Sequence, residues 1–511
     1  MPRPVLPLVV LACLLIAPAA RASTTQLSVM MDDNQLIYRT DKTRDKALDQ
    51  MAALGVDYVR VTVLWSNVAL HAQDTKAERK NFKRYGAANP KAYPKANWDR
   101  YDNLVRSAEG RGIHVYFNVT GPGPAWGHEK APASERRNQA TWMPKAREFK
   151  LFVEAVGKRF SGTYRDENFR HQRIPRVSFW SLWNEPNQGG WLTPQWYHGK
   201  PYSPVMYRDL FFDGRQGLVA TGHGNDIILA GETAPLGSNG RTERSPMYPG
   251  VFIRSLFCVD ANGKPVSGGT GCSDFTRFGP LLATAWAHHP YTKHLSPTQP
   301  DPNPDAFTMA NVSSLTGLLD KIAANTGRIA DQESVALTEF GYETNPPDPF
   351  QGISLAKQAD YIQLGDLLAY LNPRVITQTQ FLLRDVPPLT HYTKGTKHYW
   401  FTYQSGLLYS SGKPKPSYTA YKFPFQAFKS GDQYLVWGQL RWRPNSVNND
   451  YVVIQYKPSD GSSDWVNTGT VLVAGGGRNF FTGTTTAPGP GQLRAVYFAP
   501  GLPASRPVSV G

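Results

Sequence analysis

The sequence predicts an α/β fold: a (β/α)8 barrel followed by a C-terminal all-β sandwich. Three observations predict it. Apolar, β-like runs alternate with amphipathic helical runs from about residue 26 to 425, and the β-like runs number eight. Past residue 430 helical periodicity stops, and short alternating runs separated by Gly, Pro, Asn and Asp take over. The first pattern is that of a parallel sheet covered by helices, the second that of a small antiparallel sandwich.

The eight strand candidates are 26–31, 58–64, 114–119, 177–183, 227–230, 284–289, 335–339 and 375–381. Helix candidates lie between them at 43–54, 98–110, 144–160, 204–220, 315–324 and 354–371. In the first helix Ala47, Leu48, Met51, Ala52 and Leu54 fall near one face and Gly55 is a stop signal. Pro144 and Pro204 suit first helical turns, where the missing N–H costs nothing. Two connections, roughly 66–96 and 232–280, are long enough to build the rim of a site at the carboxyl ends of the strands. Beyond the barrel, 434–442, 451–456, 471–474 and 492–498 read as sandwich strands. The expected organisation is a signal peptide over 1–22, a barrel over 23–429 and an accessory sandwich over 430–511. The sandwich serves packing, or sugar binding through Trp437, Trp442 or Trp465.

The leader expectation rests on Arg3, an apolar run from Val5 to Ala17, and small residues around a cut before Ser23. That run is too short for a membrane span, and no other segment is long and apolar enough. Of three cysteines, Cys13 leaves with the leader, so Cys258 and Cys272 are expected to form a disulfide in an exported protein. No metal-ligand spacing is present, and neither a metal nor another cofactor is expected. Formal charge is +15, or +13 without Arg3 and Arg21. The basic residues are scattered, which speaks against nucleic acid and is compatible with an anionic wall or matrix polymer.

The most informative segment is Ser178-Phe-Trp-Ser-Leu-Trp-Asn-Glu-Pro-Asn187. A buried-looking strand runs into Asn184-Glu185-Pro186, and the proline, lacking an N–H, ends the ladder there. Glu185 therefore closes strand four, at the end of a barrel where chemistry is kept. Val335-Ala-Leu-Thr-Glu-Phe-Gly-Tyr342 repeats the device on strand seven with Glu339, and Gly341 permits a turn. A carboxylate ending an apolar strand is costly without a partner or a task. One such residue can be half of a structural ion pair; two on one barrel suggest a pair that works together. Cleaving a glycosidic bond needs two carboxyl groups flanking it.

On these residues the chain resembles glycoside hydrolase clan A, in the style of families 39 and 5. The resemblance is carried by Trp183-Asn184-Glu185-Pro186-Asn187, by Thr338-Glu339-Phe340-Gly341, by Arg60 in Val59-Arg60-Val61 and by His289-Pro290-Tyr291, spanning about residues 26–425. It implies a retaining hydrolase of β-linked glycans, with Glu185 as acid/base and Glu339 as nucleophile. It further implies that Asn184 bonds the sugar 2-hydroxyl, that Tyr291 and Arg60 hold Glu339 ionised, and that His289 lines the same subsite. Arg60 and His289 also have purely structural readings, as a core ion pair and a satisfied interior histidine.

Two departures from family 5 stand out. Its tryptophan at the end of strand eight is absent, leaving Gln380 or Phe381 to lie beneath the sugar. Strand three, ending Asn118-Val-Thr-Gly-Pro-Gly-Pro-Ala-Trp126, lacks a clear histidine motif and is nearer to family 39. Asn118 and Glu232 are further candidate substrate contacts, and Trp65, Trp126 and Trp191 are candidate stacking platforms. The expected partner is a carbohydrate polymer or oligosaccharide, met by a secreted monomer. A disabled, sugar-binding barrel and a transglycosylase using the same residues are the alternatives.

Overall fold

The computed structural model describes residues 22–267, 269–443, 450–498, 501 and 503–511. The expected leader, apart from Ala22, lies outside the described residues.

Eight parallel strands close into a barrel in chain order: β1 (Leu27–Met31), β2 (Tyr58–Leu64), β3 (His114–Thr120), β4 (Phe179–Leu182), β5 (Ile227–Thr233), β6 (Ala285–His288), β7 (Ser334–Phe340) and β8 (Val375–Phe381). Around them run α1 (Asp41–Leu54), α2 (Asp99–Glu109), α3 (Ala146–Arg159), α4 (Ser203–Ala220), α5 (Pro249–Leu256), α6 (Val312–Thr326), α7 (Leu355–Tyr370) and α8 (Pro416–Lys422). The period-2 alternation of each strand sends one set of side chains out to the helices and the other into the barrel. Val59, Val61, Phe117, Trp180, Leu182, Val335 and Leu337 meet Leu48, Met51, Leu104, Phe152 and Leu319 in one large core. Burying one such side chain stabilises the fold by about 1.5–3 kcal/mol. Inside, Val29, Tyr116, Phe179, Leu229, Ala285, Ala287 and Ala336 form a separate apolar cluster. Two residues further along the strands the interior turns polar, with Arg60, Asn118, Ser181 and Thr338 all buried. The site stands on that polar layer.

The C-terminal region is two antiparallel sheets. One comprises β9 (Phe425–Ser430), β10 (Gln433–Gln439) and β13 (Phe480–Thr485); the other comprises β11 (Asp450–Pro458), β12 (Val466–Ala474), β14 (Gly491–Tyr497) and β15 (Val508–Val510). The first sheet begins at Phe425, inside the stretch expected to belong to the barrel. Its contact with the barrel is intimate. Trp437 is fully buried and packs 5.8 Å from Tyr370 of α7, so it is a junction residue and not a sugar platform. Trp442 packs edge-on against Phe423 at 5.1 Å, and Arg494 covers Trp465 at 4.1 Å. Arg441 pairs with Asp366 across the junction at 3.0 Å, both buried. Gly55, at φ +80 where α1 ends, faces the Arg441 carbonyl so closely that a Cβ would lie 1.9 Å from its oxygen. The same glycine stops the helix and admits the sandwich.

Cys258 and Cys272 form a disulfide in the β5–β6 connection. Among the described residues no helix is long and apolar enough to cross a membrane.

Candidate active site

The chain leaves β4 through a sharp turn in which Trp183 and Glu185 take φ of +69 and +39. Non-glycine residues adopt this left-handed region rarely, and the surroundings must hold them there. Asn118 does part of that, donating to the Trp183 carbonyl at 2.9 Å and to Ser181 Oγ at 2.7 Å. The Glu185 N–H donates to the Glu232 carbonyl at 2.9 Å. Strand β5 breaks register with β6 between Ala230 and Thr233, and Glu232 has φ +48. Such a bulge re-aims a side chain, and here it accompanies a carboxylate buried in the barrel axis.

Glu232 is the centre of the polar layer. One oxygen accepts from Tyr116 and, at 2.5 Å, from Ser181; the other accepts from His289 Nε2 at 2.7 Å, Thr338 Oγ1 at 2.6 Å and Arg60 at 3.1 Å. Burial opposes its charge, but the Arg60 guanidinium and the His289 bond outweigh burial and hold its pKa far below the usual carboxylate range.

Arg60, fully buried, also donates to Glu339 Oε1 at 2.8 Å and to Asn184 Oδ1 at 2.8 Å. The Tyr291 hydroxyl donates to the other Glu339 oxygen at 3.0 Å. His289 Nδ1 bonds Glu185 Oε1 at 2.9 Å and lies 3.7 Å from Glu339. Burial disfavours the imidazolium, yet the charge of Glu339 and the bonds to Glu185 and Glu232 raise the His289 pKa to about 10. At neutral pH both its ring nitrogens therefore donate. Its neighbour His288 is the satisfied interior histidine, bonded to Thr233 and the Phe307 carbonyl.

One oxygen each from Glu185 and Glu339 and one His289 nitrogen lie within 4.8 Å of one another. The trio has the spacing of a metal site. Both ring nitrogens of His289 are already engaged, by Glu185 and Glu232, an arrangement that suits proton and carboxylate chemistry.

Above the carboxylates opens a cavity of about 470 Å³, within the range typical of ligand sites. Asn184, Glu185, Trp191, Tyr291 and Glu339 all line it. Arg60, His289 and Glu232 lie beneath and act on those that do. Asn118, in the same buried polar layer, secures the β4 turn and does not line the cavity. Trp65 is fully buried, stacked on Phe152 at 5.6 Å with Trp126 edge-on at 5.7 Å. Trp126 also packs on Phe82 at 5.1 Å. These two tryptophans fill the space under the 66–96 loop and are not platforms. Gln380 is buried too, its amide spent on the Phe381 and Ser405 carbonyls at 3.0 and 3.2 Å; Phe381 faces the cavity instead.

Asp33, Glu343 and Tyr403 are among the cavity residues that a reading of the sequence misses. Asp33 follows β1 and accepts the Thr62 N–H at 3.2 Å, and burial pushes its pKa up to about 6. Glu343 is raised to about 7 by burial and by the neighbouring Asp348. Tyr403 meets Phe381 edge-on at 5.2 Å. Asp33 repeats the signal of a carboxylate just past an apolar strand; Tyr403 comes from a distant loop and carries no such signal.

No protein-family model and no curated protein matches the chain. Solved structures do. A family 39 glycoside hydrolase from the gut symbiont Bacteroides cellulosilyticus is similar at 16% identity, covering 92% of this chain and 82% of that one, with a TM-score of 0.47. A GH30 endoxylanase from Clostridium papyrosolvens is similar at 11% identity over 91% and 94% of the two chains, with a TM-score of 0.44. An endo-β-1,4-mannanase from Thermotoga petrophila is similar at 11% identity over 95% and 96%, with a TM-score of 0.41. The solved structures similar to this chain thus include glycoside hydrolases, while the chemistry open to the chain is set by its own carboxylates.

Proposed function

We propose that the protein is an exported retaining glycoside hydrolase acting on a β-linked glycan, with Glu339 as nucleophile and Glu185 as acid/base. The observation that carries this reading is the approach of one oxygen of each carboxylate to within 4.8 Å over one cavity. Retaining enzymes hold their carboxyl groups roughly 5–5.5 Å apart, whereas inverting ones need about 6.5–9.5 Å to admit a water.

In this reading Glu339 attacks the anomeric carbon as Glu185 gives its proton to the leaving oxygen. A covalent glycosyl–Glu339 ester forms and the aglycone departs. Glu185, now a carboxylate, takes a proton from water, which attacks the same carbon and releases Glu339. Arg60 and Tyr291 hold Glu339 aimed through its two oxygens. Arg60 also holds the Asn184 oxygen, which leaves the Asn184 NH2 for a sugar hydroxyl in the cavity. His289, bonded to Glu185 at 2.9 Å, orients it in both steps. The Cys258–Cys272 disulfide supports an oxidising, extracellular setting. We take residues 23–429 as the catalytic unit and 430–511 as an accessory sandwich, with the first sandwich strand reaching back to Phe425.

The test is a panel of β-linked glycans and aryl β-glycosides assayed for reducing-end release. Glu185→Gln and Glu339→Gln are each expected to fold and to lose on the order of 10²–10⁴-fold in turnover. Near-parental turnover by either folded variant would remove the assignment.

A further inference from the structure

We propose that the connection after β8, residues 386–404, is a binding platform for a carboxylated polysaccharide that extends out of the catalytic cavity. The inference rests on the glycan-hydrolase reading of that cavity.

The loop is aromatic and basic, and it is held in place. Tyr392, Tyr399, Trp400, Phe401 and Tyr403 fall within it, as do Lys394 and Lys397. Phe401 is 71% exposed, Tyr403 57% and Tyr392 44%, an unusual outlay of aromatic surface in one segment. Tyr403 also lines the cavity, so the loop reaches the site. From Val386 to Gly431 the chain has no Asp or Glu. Lys394 and Lys397 form no ion pair among the described residues. A flexible tail would be a poor platform, but here the Val386 N–H donates to Tyr403 and the Leu389 N–H to Tyr399, at 2.9 and 2.8 Å. At the base, the buried Lys415 ammonium clasps both ends, bonding Asp385 at 2.7 Å and the Gln404 carbonyl at 2.9 Å.

Exposed aromatic faces suit the apolar faces of sugar rings, and unpaired ammonium groups suit the carboxylates of an acidic glycan. A neutral glycan would use the rings and leave the lysines idle. The two lysines of the loop therefore favour the charged polymer.

Affinity electrophoresis of the full chain through gels containing polygalacturonate, carboxymethylcellulose or neutral hydroxyethylcellulose tests this. The parent is expected to be retarded by at least one of the carboxylated polymers and not by the neutral one. Tyr392→Ala/Phe401→Ala and Lys394→Ala/Lys397→Ala are expected to bind at least fivefold more weakly, with turnover of a small aryl glycoside unchanged and parental melting temperatures. Parental retardation of both folded variants, or retardation by the neutral polymer alone, overturns the platform while leaving the hydrolase reading intact. Retardation that depends on the loop, in a parent that cleaves nothing, overturns the hydrolase reading and leaves the platform standing.

Discussion

His289 donates from Nε2 to Glu232 at 2.7 Å, deep in the barrel, while its other nitrogen serves Glu185 at the cavity surface. The contact couples a carboxylate of lowered pKa to an imidazole of raised pKa. Through it the buried layer is hydrogen-bonded to the residues above. Arg60 completes the layer, so two buried cations face three carboxylates, of which Glu232 is the most deeply buried.

That coupling has a pH signature. The folded-state His289 pKa of about 10 exceeds its ordinary 6.5. Its contribution to stability is full below pH 6.5 and fades as pH rises through about 10. Glu232, with its pKa lowered, contributes above about pH 4.5 and loses that contribution as pH falls further. Urea unfolding of the parent should therefore show stability falling from pH 7 to 10, and His289→Gln should flatten that slope. An unchanged slope in the variant would show that His289 does not carry the extra proton.

Removing Glu232 leaves two buried cations short of a partner. Glu232→Gln is expected to cost about 3–5 kcal/mol, the range for breaking a buried pair from one side. Denaturant midpoints measure it. A cost under about 1 kcal/mol would mean that the layer tolerates its own unpaired charge.

Tyr291 donates to the Glu339 oxygen not held by Arg60. A hydrogen bond to a charged group is worth about 1.5–3 kcal/mol, so Tyr291→Phe should lower kcat by roughly 10–100-fold. A rise in KM alone, with kcat kept, would assign Tyr291 to sugar binding in place of nucleophile support.

Glu343 faces the cavity with its pKa raised to about 7. A raised carboxyl pKa favours the fold below pH 4.5, and that benefit disappears as pH rises through 7. Glu343→Gln should therefore melt higher than the parent at pH 8 and no differently at pH 4. Equal melting at pH 8 would mean that Glu343 ionises without penalty.

The Cys258–Cys272 link closes a separation of 14 residues. A loop of that length stabilises the fold by about 3 kcal/mol in the chain-entropy account. Cys258→Ser/Cys272→Ser should lower the melting temperature, and an unchanged temperature would show that α5 and its neighbours hold the loop unaided.

The barrel was legible because each strand is buried on both faces and reads as an apolar run with a polar end. β2 and β8 match the expected bounds residue for residue, and the others differ only at their ends. The carboxylates Glu185 and Glu339 were conspicuous for the same reason, as charges closing apolar strands. What stayed hidden depends on direction in space. Trp65 and Trp191 both lie on connections that follow barrel strands, yet one turns into the core against Phe152 and the other onto the cavity. Gln380 and Phe381 alternate across the sheet, and only the pleat decides which faces the site. Strand β13, Phe-Phe-Thr-Gly-Thr-Thr, has no apolar alternation to announce it. Glu232 owes its inward aim to a bulge that local sequence does not declare.

The most direct test of the account is the anomeric configuration of the first product. Proton NMR of an aryl β-glycoside being hydrolysed by the parent, recorded before mutarotation, separates the two outcomes. Carboxylates within 4.8 Å predict the β-anomer, formed by double displacement. An initial α-anomer would mean a single displacement by water, and would contradict the roles given to Glu339 and Glu185.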